Sequence, residues 1–409
     1  MGSLSGQGPL PTGAPVGRWV ILRPVLTLGL TQIIGFGTLY YAFGVMVTPL
    51  SADLGITPTF AYGVLSAALL IGSLSATYAG RLIDRHGARV MMAVGSVACA
   101  LAFLAMSQIS SATGLIVTLT LAEIVAPLVL YDAAFAGIAQ AVGERRARRA
   151  ITQMTLVGGF ASTVFWPLTL ALVEGWDWRV ALMVFAGLHL FICLPLHLSL
   201  PRPSRTEAAR ETTPPQFTPL PSATHRRAML LLAFGFSLSW AVMAAFSAQW
   251  VPVMAAVGLD QTIAVAAGAL MGPAQVGARV LEMMFAARRH PMETALVAMV
   301  CLAVAVAVLA LAPVSVLAAS IFAVLFGVGQ GLATMVRGTV PLALFGLAGY
   351  ATRLGRLAAL RMVIAALAPF GMAWSMAVWG PSVTLWITCA LALISLAALW
   401  LVPWRELQN

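Results

Sequence analysis

Among the ionisable side chains in long apolar runs, where a charge is costly and is kept for a partner or a pathway, six acids and arginines are candidates for chemistry. Glu123 and Asp132 lie in the stretch 113–140, Arg279 and Glu282 in 261–286, Arg337 in 315–345 and Arg361 in 355–379. Arginine presents a fixed fork of donors that matches a carboxylate. Arg279 or Arg337 therefore suits the charged end of a small organic anion. Glu123, Asp132 and Glu282 are candidates to carry a coupling proton, because a carboxyl in a dry site takes or releases a proton according to its neighbours. Glu282 is three residues beyond Arg279, close enough on a helix for a same-face pair, so the two could also form a purely structural bridge. Asp132 and Arg337 are 205 residues apart, the same offset as Arg148 and Arg353. This places them at equivalent points of two related halves, where they could pair across a central cavity or each bond locally. Arg361, near the start of its run, is expected to snorkel to the surface. Tyr40, Tyr41, Tyr131, Trp240, Gln249, Gln275 and Gln330 could complete a pocket or simply pack.

The elements that must position these residues follow from composition. The chain is 61% hydrophobic and 9% charged over 409 residues, with a mean hydropathy of +0.95. Soluble domains carry about 25% charged residues, so an ordinary soluble enzyme and a nucleic-acid binder are both excluded. Apolar runs fall near 24–48, 58–82, 90–107, 113–140, 150–173 and 179–199. A second set falls near 228–256, 261–286, 292–311, 315–345, 355–379 and 382–402. They are long enough to cross a bilayer and do not alternate with the period of barrel strands. Backbone groups in lipid must be satisfied within the segment, so the runs are helices. The expected fold is an all-α membrane protein with twelve transmembrane helices in two pseudo-symmetric six-helix halves.

The expected boundaries are a tail at 1–23, a first half at 24–199, a linker at 200–227, a second half at 228–402 and a tail at 403–409. The linker carries six prolines and scattered charges between Pro201 and Arg227, the composition of a flexible connector. The start of the chain lacks the charged and apolar regions of a signal peptide and misses the myristoylation pattern. All 23 basic residues are arginines, since the sequence contains no lysine. Nineteen of them fall in loops or tails on one side of the expected topology, three lie in spans, and only Arg179 lies on the opposite side. By the positive-inside rule, both termini and the linker are expected to be cytoplasmic, in a bacterial inner membrane. This sorting accounts for the net charge of +10 without a polyanionic partner. Cys99, Cys193, Cys301 and Cys389 read as buried apolar residues. No His or Cys spacing suits a metal, so neither a metal nor a cofactor is expected.

One motif goes further. Gly80-Arg81-Leu82-Ile83-Asp84-Arg85-His86-Gly87-Ala88-Arg89 resembles the G-x-x-x-D-R-x-G-x-R signature of the major facilitator superfamily, in the same position between the second and third spans. The resemblance covers essentially the whole chain and implies a transporter working by alternating access. It also implies a gating role for Gly80, Asp84, Arg85, Gly87 and Arg89. Asp84 would cap a helix of the other half and pair with nearby basic residues, locking the outward-facing state. The eleventh span, expected to start near Arg353 to Arg356, is the natural partner, because helix N-termini favour anions. Ala88 stands where a second basic residue is frequent.

A narrower resemblance is to the monocarboxylate-transporter-like branch. It is carried by Gly44-Val45, Pro49-Leu50, Asp53-Leu54-Gly55 and the loop Gly175-Trp176-Asp177-Trp178-Arg179-Val180-Ala181. That branch places a substrate-binding arginine where Arg279 stands. It often has an aspartate one turn earlier, where this chain has Gln275. The glycine-proline element of drug–proton antiporters is missing from the fifth span, which carries Gly158-Gly159 and Trp166-Pro167 instead.

The expected function is proton-coupled transport of a small organic anion such as a monocarboxylate. The alternatives are export of drugs or of metalloid compounds such as arsenite and, last, a non-transporting membrane sensor. An enzyme is not expected. The expected partners are a small solute, protons and the bilayer, with no nucleic acid, and the chain is expected to act as a monomer.

Overall fold

The computed structural model describes residues 18–201, 219–285 and 289–405. Residues 1–17 and 406–409 and most of the expected linker, with Arg202, Arg205 and Arg210, lie outside the described residues, as does Arg288, whereas Arg18 and Arg23 of the expected first tail belong to the first helix. The described chain is helical. In the first half the helices are α1 (Arg18–Phe36), α2 (Ala42–Asp53), α3 (Pro58–His86), α4 (Ala88–Ser107), α5 (Ala112–Val125), α6 (Tyr131–Val142), α7 (Glu144–Gly158), α8 (Ala161–Gly175), α9 (Trp178–Leu188) and α10 (Leu194–Leu198). In the second half they are α11 (His225–Ala256), α12 (Gln261–Gly268), α13 (Met271–Phe285), α14 (Pro291–Leu311), α15 (Val316–Phe345) and α16 (Tyr350–Trp400).

Among the described residues, ten helical segments are long and apolar enough to cross a membrane. The last of them, α16, has 51 residues, far more than the roughly 20 that span a hydrocarbon core. It is two spans merged at a kink: Gly380 has φ 82° and ψ 169°, immediately before Pro381. The expected continuous span 261–286 is instead the two short helices α12 and α13, broken around Ala269 and Leu270. Gly268 lies at the break, where a β-carbon would collide with the Trp250 indole, and the indole Nε1 donates to Ala264 O at 2.7 Å.

Other spans are interrupted near mid-membrane. The run 113–140 divides at a 3-10 turn, Ala126–Leu128, that contains Pro127. A proline has no N–H to continue the ladder. Buried Gln32 reaches over from α1 and its Nε2 donates to Val129 O at 2.8 Å, satisfying a carbonyl at the break. The run 150–173 divides at Gly159 and Phe160. Two π turns, Gly37–Tyr41 after α1 and His189–Cys193 after α9, lie within the first and sixth runs. Irregular backbone at this depth is tolerated only inside protein or along a cavity.

Two expected loops are helix. Gly80, Asp84 and Arg85 lie within the last turns of α3, and Gly87 alone joins α3 to α4, with φ 85°. Glycine adopts that left-handed backbone without steric cost. Arg146, Arg148 and Arg149 lie in the first turns of α7, which follows Gly143 at φ 75°.

One apolar core lies in the first half around Phe103, Phe165 and Phe185, and another in the second around Phe246, Phe322 and Phe326. A third crosses between halves on the arginine-rich side, where Phe135 and Ile138 meet Leu342, Tyr350 and Leu354. Leu220, at the end of the expected linker, belongs to the second-half core, and its N–H donates to Leu344 O at 2.8 Å.

Candidate functional site

The break in the fourth run makes Asp132 part of the first turn of α6, where the helix dipole favours an anion. Arg361 Nη2 lies 3.4 Å from Asp132 Oδ2, and Arg337 Nε lies 3.9 Å from Asp132 Oδ1. The pairing of Asp132 with Arg337 across the halves is therefore present. It is shared, however, and Arg361 does not snorkel. Arg361 is buried at 5% exposure because α16 already begins at Tyr350, about three turns earlier. Trp240 stands under both cations, with ring centroids 4.5 Å from the Arg361 guanidinium and 5.3 Å from that of Arg337. The Arg337 guanidinium also lies over the Tyr131 ring at 5.2 Å and the Phe135 ring at 5.4 Å. These aromatic faces attract the two guanidiniums that would otherwise repel each other. At 3.9 Å the Arg337 contact is an ion pair without a hydrogen bond.

Arg279 is the second cationic centre. Its Nε donates to Gly331 O at 3.3 Å, its Nη1 to Thr155 O at 3.3 Å and its Nη2 to Thr334 Oγ1 at 3.5 Å. Thr155 O is among the last carbonyls of α7, so the guanidinium lies against the negative end of that half-helix. The close approach of α13 to α15 depends on Gly327 and Gly331, where β-carbons would lie 2.5 Å from Met271 O and 2.7 Å from Gln275 O. Beside this contact Gln275 Nε2 donates to Gln330 Oε1 at 2.6 Å, and Gln330 Nε2 donates to Ser247 Oγ at 3.3 Å. Gln249 is drawn off to Pro369 O. Tyr41 and Tyr131, both from the first half, lie within electrostatic reach of Arg279. Tyr40 lies within reach of Glu123.

The Arg279–Glu282 bridge is not formed. Glu282 Oε1 instead accepts from Arg148 Nη2 at 2.8 Å, and Glu282 Oε2 accepts from Thr152 Oγ1 at 3.4 Å. Arg148 also donates to Thr294 Oγ1 and to Arg289 O. Both side chains meet α7 of the other half, but at different points: Arg279 reaches Thr155 O and is also held by Gly331 and Thr334 of α15, whereas Glu282 is taken up by Arg148 and Thr152. Glu123 is 4% exposed. Its neighbour is Gly72 of α3, where a β-carbon would lie 2.5 Å from Glu123 O.

Asp84 caps α16. Its Oδ1 accepts from Ala351 N at 3.1 Å, and its Oδ2 accepts from Thr352 N at 2.7 Å and Thr352 Oγ1 at 2.5 Å. Gly80 permits the approach, since a β-carbon there would overlap Ala351 O, and Gly355 does the same against Ala76 O. Arg85 is exposed and Arg89 partly so, and neither forms an ion pair with Asp84. Arg353 is the cation in electrostatic reach of Asp84, and its Nη1 donates to the terminal carbonyls of α15 at Phe345 and Gly346. On the opposite face the 175–181 loop ties the first half together. Asp177 accepts from Trp178 N, and Arg179 pairs with Asp53 at 2.5 Å and donates to Ile109 O.

Sequence reasoning missed Arg148, Arg361, Thr352 and Gly355 as partners in these contacts. Charge within a helix could have flagged Arg148 only if α7 had been read as starting at Glu144.

Two six-run halves, a capped α3–α16 crossing and buried charges between the halves are features of a membrane transporter. The Major Facilitator Superfamily profile matches residues 28–351, and the chain belongs to that family. No curated protein sequence matches the chain significantly. Among solved structures it is similar to the human organic anion transporter MFSD10 (TETRAN), with a TM-score of 0.70 and 15% identity, covering 94% of this chain and 100% of the other. The proton:xylose symporter XylE, bound to 6-bromo-6-deoxy-D-glucose, has a TM-score of 0.67 and 15% identity, covering 95% and 98%. The transporter FucP in the outward conformation has a TM-score of 0.69 and 13% identity, covering 93% and 99%. Identities this low establish a shared fold only.

Proposed function

We propose that the chain is a secondary active transporter of a small organic anion, such as a monocarboxylate, driven by protons through alternating access. The charge balance between the halves carries this reading. Arg337 and Arg361 share one carboxylate, Asp132, and Arg279 is held by carbonyls and a hydroxyl rather than by an acid. Each centre keeps an uncancelled positive charge in a site of low dielectric, where an anionic ligand is strongly favoured. Arg279 would hold the carboxylate by its fork. Gln275, Gln330 and Tyr131 would line the remainder of the site. Asp132 would exchange between Arg361, Arg337 and a proton as the halves rock. Glu123 is the second proton candidate, because burying a charge is costly unless it is paired. The arginine-rich face would be cytoplasmic by the positive-inside rule. Closed there by Asp84 and Arg148, the molecule would be poised to load from outside.

Flux into proteoliposomes tests the reading. Labelled lactate is offered with an inward proton gradient, and wild type is compared with Arg279→Gln and Arg337→Gln. Gradient-driven uptake by wild type that both variants lose supports it. Uptake unchanged in both variants, or transport of an uncharged solute such as arsenite instead, overturns it.

A further inference from the structure

The two π turns touch. Thr38, within Gly37–Tyr41, and His189, which begins His189–Cys193, are joined by a 2.9 Å contact between Thr38 Oγ1 and His189 Nε2. Thr38 is 3% exposed and His189 1%. The Thr38 hydroxyl donates to Ile34 O at 2.9 Å. With the hydroxyl so engaged its oxygen accepts from His189, and the imidazole is assigned on this basis as the Nε2–H tautomer. Aromatic rings hold the imidazole there: Phe103 lies 5.6 Å from it and 6.0 Å from Phe185, which in turn lies 6.0 Å from Phe165. Phe165 presses on the first π turn at Gly37, where any β-carbon would overlap the ring.

A π turn inserts one residue and rotates everything beyond it by about 100°. The residues at the end of this turn are Tyr40 and Tyr41, whose rings meet edge-on at 5.2 Å. Tyr41 lies within electrostatic reach of Arg279 of the other half and of Tyr131. With ordinary α-helical phase, the pair would swing away from that cleft. We infer that the Thr38–His189 bond is a positioning contact: His189, buried in the second π turn, fixes the first π turn, which presents Tyr41 to the cleft beside Arg279. This rests on reading the cleft between the halves as the transport path. His189 is thus a positioning residue acting through Tyr41.

Thiol accessibility tests this without knowledge of the substrate. Tyr41→Cys in the full chain is labelled in proteoliposomes with a charged, membrane-impermeant methanethiosulfonate, wild type serving as the background for the four native cysteines. Adding His189→Leu should slow labelling about tenfold, the upper range for one lost buried hydrogen bond. His189→Gln, whose amide can still donate to Thr38, should restore the rate. Thr38→Val and Thr38→Ser form a second pair with the same expected contrast, should the leucine variant fail to fold. Equal labelling rates across a bond-keeping and a bond-lacking variant of either residue would overturn the inference. No labelling of Tyr41→Cys in the native His189 background would overturn the transport-path reading, and the inference with it.

Discussion

Thr352 gives both its backbone N–H and its hydroxyl to a single carboxylate oxygen of Asp84, 268 residues away in sequence. The N-terminus of α16, in the second half, is thereby capped by a side chain from α3 of the first half. Any motion that parts the halves at this face must uncap that helix. An interaction of this kind weights a conformational equilibrium without touching the transported solute.

Asp84→Ala should therefore loosen the arginine-rich face by about 1 kcal/mol, the usual worth of an N-cap, or roughly a fivefold shift in population. Spin labels at the exposed positions Arg85 and Arg356 would report a larger share of long distances. Thr352→Val leaves both backbone bonds to Asp84 and should shift the distribution less. An unchanged distribution for Asp84→Ala would remove the gating role.

Arg148 and Glu282 form a second link across the same face, at 2.8 Å and largely out of solvent. Truncating one partner of a buried pair leaves an uncompensated charge, at about 3–5 kcal/mol. Arg148→Ala should lower the melting temperature in detergent sharply. The Arg148→Ala, Glu282→Ala double variant should be less damaged than the single one, because no lone charge remains. Strict additivity would show that the two side chains do not act as a pair.

Asp132→Asn would release Arg337 and Arg361 from their shared acid and should tighten anion binding, while Arg361→Gln should weaken it. A charged hydrogen bond is worth about 1.5–3 kcal/mol, so shifts of tenfold or more are expected. Trp240, packed against both guanidiniums, provides the fluorescence signal for the titration. The same affinity in both variants would take this centre out of the binding site.

His290 supplies a pH dependence. It lies just ahead of α14, where its ring Nδ1 accepts from Met292 N at 3.2 Å while its backbone N–H donates to Glu293 Oε1 at 3.4 Å. Burial, and then the charge of Arg148, push its pKa down to about 4 from an ordinary 6.5. A neutral histidine favoured by the fold stabilises above pH 6.5, and this contribution is lost as pH falls from 6.5 towards 4. The melting temperature should decline across that window in wild type. His290→Asn, which keeps a cap acceptor that does not titrate, should flatten the decline.

The sequence alone determined the solvent of this protein and its class. Too few charges to cover a soluble surface, apolar runs of spanning length and arginines sorted to one side follow from local composition, and burial in lipid depends on little else. The signature around Asp84 was equally legible, because it is contiguous. Only the tertiary structure decided which charges meet. Contacts with α7 and α15 send Glu282 to Arg148 rather than to Arg279, and the early start of α16 brings Arg361 onto Asp132. The Thr38–His189 junction depends on two π turns that no periodicity announces. Pairing at such positions is settled by rotations of about 100° per residue within crossing helices, and these are set by contacts between segments far apart in the chain.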